Sequence, residues 1–213
     1  MHSFAALRRM MVDCQLRTYD VTDRAVLAAA DAVPREAFLP VSLSHLAYLD
    51  QAVALPGTGR ALVTPMVVVR MIQNLAVQPG ETALEFGGGT GYGAALMAHV
   101  GAKATLWEPD AEARALAGPA LAQAEVGPVA VVAERPGDGS FDVILVGGAC
   151  EIAPDSLHAL LRDGGRMVAV EGIGRSARVK LYQKSGSVVS GRPIFDAAAP
   201  VLSEFRKVPA FVF

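Results

Sequence analysis

The stretch TALEFGGGTGY, residues 82–92, decides how the rest of the chain is read. It begins as a short apolar run, and Gly87, Gly88, Gly89 and Gly91 then arrive within five positions, ahead of the small, helix-forming run Ala94-Ala95-Leu96-Met97-Ala98. This is the pattern of a strand, a glycine turn and a helix N-terminus. Glycine suits such a turn because it adopts positive φ without steric cost, and because the missing Cβ lets a ligand approach the backbone N–H groups. The turn is read as a binding site.

Spacing bears on the ligand. A dinucleotide fingerprint GxGxxG starting at Gly87 needs a third glycine where this chain has Tyr92, and the shifted GxGxxA reading from Gly89 through Gly91 to Ala94 starts too late after the strand. An acid two residues before the first glycine, Glu85, followed by the glycines and an aromatic, resembles instead the first motif of S-adenosylmethionine-dependent methyltransferases. A second short apolar strand, 104–107, ends at Glu108 and Pro109, one βαβ step later, where a carboxylate can accept both ribose hydroxyls. Either cofactor class uses such an acid, so Glu108 supports a nucleoside without choosing between them. Trp107 is read as packing, with stacking on an adenine as the other possibility.

A chain of 213 residues with 52% apolar content can bury one sizeable core and is too short for two ordinary ones, so one domain over residues 1–213 is expected. A formal charge of −2 gives no reason to expect a nucleic-acid or anionic-membrane surface. Cys14 and Cys150 lack the CxxC spacing or neighbouring histidines of a zinc site, so no metal is expected and buried free thiols in a reducing compartment are the reading. Arg8-Arg9 is followed by Asp13, Gln15 and Arg17, not by an apolar secretion core, and no run of 18 apolar residues occurs. A cytoplasmic protein is expected.

Along the chain, residues 4–18 have apolar positions at helical spacing, and Thr22 offers an N-cap to a second, alanine-rich helix that ends before Pro34. Residues 34–65, punctuated by four prolines, read as loop and short helix, a long connection of the kind that often carries function. Pro65 suits the first turn of a helix over 66–77. After the glycine turn come strand 104–108, helix 110–125, strands 129–133 and 141–146, helix 154–161 and strand 166–170, then two strands, 177–184 and 188–194, joined as a hairpin through Ser185-Gly186-Ser187. The alternation predicts a three-layer, doubly wound α/β fold with a mostly parallel sheet and an N-terminal helical extension. The tail from residue 193 ends in Pro209-Ala210-Phe211-Val212-Phe213 and is expected to dock on the body or on a partner.

Together, Met11-Val12-Asp13-Cys14-Gln15-Leu16-Arg17, Val33-Pro34-Arg35-Glu36-Ala37-Phe38-Leu39-Pro40, Ala47-Tyr48-Leu49-Asp50, the glycine turn, Asp142-Val143-Ile144-Leu145-Val146 and Leu160-Leu161-Arg162-Asp163-Gly164-Gly165-Arg166 resemble, in order, the protein-L-isoaspartate O-methyltransferase family. The resemblance implies a seven-stranded sheet with a rearranged C-terminal strand order, S-adenosyl-L-methionine as cofactor, and a protein or peptide substrate whose isoaspartyl carboxylate is methylated. It also implies a cofactor-binding set of Glu85, Gly87, Gly88, Gly89, Gly91, Tyr92, Glu108, Pro109 and Glu134, the last in place of the family's Gly-Asp, facing the adenine. The family's substrate loop, GQTIS, one residue and Pro, is here Gly59-Arg60-Ala61-Leu62-Val63-Thr64-Pro65. Arg60 stands for the glutamine, Ala61 for the threonine and Val63 for the serine, and the one remaining hydroxyl, on Thr64, is a candidate catalytic group or a helix N-cap.

Methyl transfer from a sulfonium is an in-line displacement, and a carboxylate acceptor is already ionised near neutral pH, so no general base is required. His2, His45, His99 and His158 lack partner patterns, with His45 the one worth testing as a base. Loss of the loop hydroxyls leaves two further readings, a methyltransferase for another acceptor and a non-catalytic relative that keeps the fold.

Overall fold

The computed structural model describes residues 3–208. A seven-stranded sheet forms the centre. In chain order its strands are β3 (Thr82–Phe86), β4 (Lys103–Trp107), β5 (Val129–Val132), β6 (Phe141–Cys150), β7 (Leu161–Glu171), β8 (Arg178–Ser185) and β9 (Val188–Asp196); a two-stranded ribbon of β1 (Val53–Ala54) and β2 (Ala61–Leu62) lies in the long N-terminal connection. The sheet order is β5-β4-β3-β6-β7-β8-β9, parallel through β7 and antiparallel for the last two pairings. The C-terminal strands therefore follow one another in sequence, without the rearranged order that the family resemblance implied. The link from β7 to β8 explains this. It is a tight turn over Gly174–Ser176, too short for a crossover, so β8 can only fold back beside β7.

Period-2 alternation sorts the core. On one face Ala83, Val143, Leu145, Val168 and Val170 meet helices α3 (Pro65–Leu75) and α4 (Tyr92–Val100); on the other, Leu84, Phe86, Ile144, Val146, Met167 and Ala169 meet Leu157, Leu160, Leu202 and Phe205. The first layer is helical. The opposite one consists of 3-10 turns and the C-terminal segment. The helix expected over 154–161 is one of those turns, Asp155–Leu160, because β7 begins at the next residue and leaves no length for an α-helix.

Helix α1 (Phe4–Met11) stops earlier than its periodicity suggests. The backbone widens into a π-helical turn over Val12–Leu16 and tightens again over Arg17–Tyr19, where the Thr18 hydroxyl donates back to the carbonyls of Cys14 and Gln15. Helix α2 (Arg24–Ala32) is capped by Asp23, not Thr22: the Asp23 carboxylate accepts from the Ala25 and Val26 amides, while the Thr22 amide donates to Gln73. Helix α5 (Ala111–Gln123) starts at an Asp110 cap. Arg166 on β7 reaches the end of α3, donating to the carbonyls of Leu75 and Ala76, and forms a two-point pair with Glu81 at 2.8 Å. That contact fixes how α3 delivers the chain into β3.

The hairpin of β8 and β9 turns at Gly186-Ser187 as expected. Cys14 and Cys150 are both free thiols, but Cys14 is exposed, so the expectation of burial holds for Cys150 alone. Among the described residues, no helix is long and apolar enough to cross a membrane, and no cluster of three or more His, Cys, Asp or Glu side chains is arranged to hold a metal ion. Of the tail, Val201 bridges to Ala149 and Leu202 and Phe205 are buried; Pro209 to Phe213 lie outside the described residues, as does His2.

Candidate functional site

β3 enters the turn beside β6, and the two backbones touch. Gly87, Gly89 and Gly91 take φ of 66°, 64° and 87°, in the left-handed region that favours glycine. Gly88 does not, and is required for space: a Cβ there would stand 2.1 Å from the Glu85 carboxyl carbon. Opposite it, β6 slips register between Leu145 and Ala149, and a Cβ on Gly147 would lie 2.5 Å from Gly88 Cα. The bulge lets one strand curl around the turn of the other.

Glu85 is buried, with its carboxylate turned into the start of α4, where the Ala94 amide donates to it at 2.7 Å. Burial pushes this carboxyl up to about 7, against the hydrogen bonds from Ala94 and Gly93 that favour its charged form; the charge of Glu108 adds to the rise. Glu85 therefore braces the turn from beneath. Glu108, at the end of β4, is fully buried and accepts from the Gly89 amide at 2.7 Å and from the Asp110 amide at 2.9 Å. One acid thus stands on each side of the glycines, as the sequence suggested.

The N-terminal connection supplies the cover, and one of its residues had no expected role. Arg35 is completely buried, donates to the carbonyls of Ala47 at 2.8 Å and Val63 at 2.6 Å, and lies 4.8 Å over the Tyr92 ring. Burial lowers its guanidinium to about 10, so it remains a cation at neutral pH. Phe38 packs edge-on against Tyr92, and the Thr90 hydroxyl donates to the Phe38 carbonyl at 2.8 Å. Arg35 thereby ties the leader, the substrate loop and the start of α4 together; the signal for it was a charged residue inside the otherwise apolar run Val33 to Pro40.

Ala61, Leu62 and Val63 line a cavity together with Glu85, Gly88, Tyr92, Gly147 and Gly148. The cavity measures about 10 Å³, the room of a single water molecule. Thr64 occupies the cap position of α3, yet its hydroxyl makes no capping hydrogen bond; its backbone carbonyl accepts from Val67 and Val68 instead. Glu134 is exposed just beyond β5, and Pro109 is exposed beside Glu108. Trp107 packs on Phe86 with ring centroids 4.7 Å apart and donates to the Ala133 carbonyl, which accounts for it without an adenine. His45 sits exposed in the 3-10 turn Val41–Leu46 and does not line the cavity beside the glycines.

Arg60 is the least foreseen. Its side chain is 1% exposed and pairs with both acids that flank it: Nε donates to Glu108 at 2.8 Å, and the two terminal nitrogens reach Glu204 at 3.1 and 2.5 Å. Burial works against this cation, but its hydrogen bonds to Glu204 and Glu108 outweigh that and raise it above the ordinary arginine value.

The chain matches the model of the Protein-L-isoaspartate(D-aspartate) O-methyltransferase family over residues 8–196. The chain belongs to that family. It is 37% identical to Protein-L-isoaspartate O-methyltransferase 1 of Rhodopseudomonas palustris (strain HaA2), an alignment covering 97% of this chain and 84% of that protein. It is 38% identical to Protein-L-isoaspartate O-methyltransferase of Methylorubrum extorquens (strain PA1), over 77% of this chain and 73% of that one. Among solved structures, a Plasmodium falciparum chain given as a candidate member of this enzyme class, in complex with S-adenosyl-L-homocysteine, superposes with a TM-score of 0.76 over 96% of this chain and 100% of its own, at 16% identity, a likeness of fold.

In a family member, a nucleoside that carries a sulfonium needs backbone amides free of side chains and an acceptor for its ribose. Here the glycines of the turn carry no side chains, while the Gly89 amide and Glu108 are bonded to each other, and Glu108 to Arg60 as well. The room is another matter, since Arg60 and Leu55 press on Gly89, and Leu202 lies 3.0 Å from where a Cβ of Gly87 would be.

Proposed function

We propose that this chain transfers the methyl group of S-adenosyl-L-methionine to a carboxylate of damaged aspartyl residues in proteins, isoaspartyl residues foremost. Family membership over residues 8–196 supports the activity, and the observation that carries the cofactor assignment is the buried Glu85, the Gly87–Gly91 turn and the buried Glu108 in one cluster. When bound, the cofactor supplies an electrophilic methyl group. The glycine turn Gly87–Gly91 would line its cradle, Glu108 would accept from its ribose in exchange for the Gly89 amide it now holds, and Glu134 with Pro109 would flank the adenine side. Glu85 keeps the turn in shape. Tyr92, held by Arg35 and Phe38, closes the inner wall.

The acceptor side is formed by Ala61, Leu62 and Val63, with Thr64 next in line. These side chains offer exclusion of water and no general base, which suits an acceptor that is already ionised. Cytoplasmic residence fits Cys14 and Cys150 as free thiols.

The test is transfer of radiolabelled methyl to an isoaspartyl peptide beside its aspartyl twin. Labelling of the first alone is expected. Restoring Val63→Ser with Ala61→Thr should raise turnover roughly 5- to 150-fold, the value of one hydrogen bond of about 1 to 3 kcal/mol acting on the transition state. Cofactor binding with inert isoaspartyl peptides would move the reading to a different methyl acceptor.

A further inference from the structure

We infer that the chain carries its own latch on the cofactor site: Arg60 and the C-terminal segment 197–206 hold the glycine turn closed, and cofactor entry requires that they let go. This rests on the cofactor assignment made above and adds its regulation.

Three contacts place the latch where a nucleoside has to lie. Leu202 is wedged between the turn and β6, lying 3.0 Å from a Cβ built on Gly87 and 2.8 Å from one built on Gly148. Arg60 covers Gly89 and puts its guanidinium on Glu108, the carboxylate that the ribose hydroxyls would need. Glu204 then holds that guanidinium from the outside through two charge-assisted bonds, with Ser203 Oγ at 3.5 Å from the same nitrogen as one of them. What remains between the substrate loop and the turn is about 10 Å³.

The segment is fastened unevenly. Two backbone bonds tie it to the end of β6, Ala149 N to Pro200 O at 2.8 Å and Leu202 N to Ala149 O at 2.9 Å, and two more run from Glu151 and Ile152 to the Phe205 carbonyl. Phe205 is buried against Phe86 at a centroid separation of 5.6 Å. Between these anchors, Ser203 and Glu204 are exposed, with the Glu204 side chain 29% accessible. The outer half of the Arg60 clasp is thus solvent-reachable, and the inner half on Glu108 is not. A ligand that brings hydroxyls to Glu108 competes for the inner half, and loss of the outer half unties the C-terminal segment from Arg60.

The experiment is calorimetric titration with S-adenosylhomocysteine of wild type, Glu204→Gln and Arg60→Gln, together with amide exchange at Ala149 and Leu202 in wild type with and without the ligand. Each substitution is expected to tighten binding about tenfold or more, or about 1.4 kcal/mol, and the ligand is expected to accelerate exchange at both amides in wild type. Micromolar binding to wild type with no gain in either variant would overturn the latch and leave the cofactor assignment standing. Slower exchange at Leu202 on binding would also overturn it, because the segment would then close over the ligand. Absence of binding in all three proteins, each verified as folded, would remove the latch and the cofactor assignment together.

Discussion

Replacing Glu85 by glutamine isolates a single proton. The carboxyl is buried beneath the glycine turn and holds its proton up to about pH 7, against an ordinary value of 4.5. Between those two pH values the folded chain binds more protons at this site than the unfolded chain, so stability is fully present below about pH 4.5 and falls as pH rises toward 7. Holding one extra proton across one pH unit is worth about 1.4 kcal/mol, which puts the whole decline near 3 kcal/mol. Glutamine has nearly the same shape, still accepts from the Ala94 amide, and never ionises. The stability of wild type minus that of Glu85→Gln should therefore drop by about 3 kcal/mol between about pH 4.5 and about pH 8, while contributions from other titrating groups cancel in the difference. Urea unfolding at half-unit pH steps measures it, and at a slope of about 3 kcal/mol per molar the midpoints should diverge by about 1 M. A difference that stays flat across this range would refute the burial of a protonated Glu85 and with it the view that this acid braces the turn from a dry position.

Three further substitutions test the packing of the site. Glu108→Ala should lower thermal stability by about 6 to 12 °C, because a guanidinium that is 1% exposed loses its inner partner, at a cost of about 3 kcal/mol; an unchanged melting temperature by circular dichroism would mean that Arg60 does not depend on Glu108. Gly147→Ala should cost about 2 to 3 kcal/mol in chemical denaturation, since its methyl group would meet Gly88 Cα at 2.5 Å, backbone against backbone with no flexible side chain to yield. Gly118→Ala, in the interior of α5, has nothing within 4 Å beyond its chain neighbours, but it precedes Pro119, whose ring crowds a Cβ on a helical residue, so the usual gain of about 0.5 to 1 kcal/mol should be absent in the same assay.

What could be read from the sequence was local, and what could not was joined over long separations. The turn between β3 and α4 was legible because strand, glycines and helix start lie within one continuous stretch, and its two acids follow from the βα geometry on either side. The hairpin of β8 and β9 was legible for the same reason. Thr22 and Asp23 compete for one cap, and it is the Asp23 carboxylate that accepts from Ala25 and Val26, while Gln73, about fifty residues on, accepts from the amides of both candidates. The length of the 154–161 segment looked helical until β7 began at Leu161, a boundary set by pairing with Phe141.

Arg60 is the sharpest case. In the substrate loop it stands among Gly59, Ala61, Leu62 and Val63, and as a sequence feature it was only a departure from the family's glutamine. A cation in an apolar loop beside a ligand site has to find a carboxylate or stay in water, and the residues alone impose that choice. Its partners were not legible, because Glu108 lies 48 positions away and Glu204 lies 144 positions away on the opposite end of the chain. Their convergence changes what Glu108 means. An acid read as a waiting acceptor for ribose is already satisfied by Arg60, Gly89 and Asp110, so binding at this site is an exchange of partners, and its strength depends on how firmly Glu204 holds Arg60 as much as on the glycines themselves.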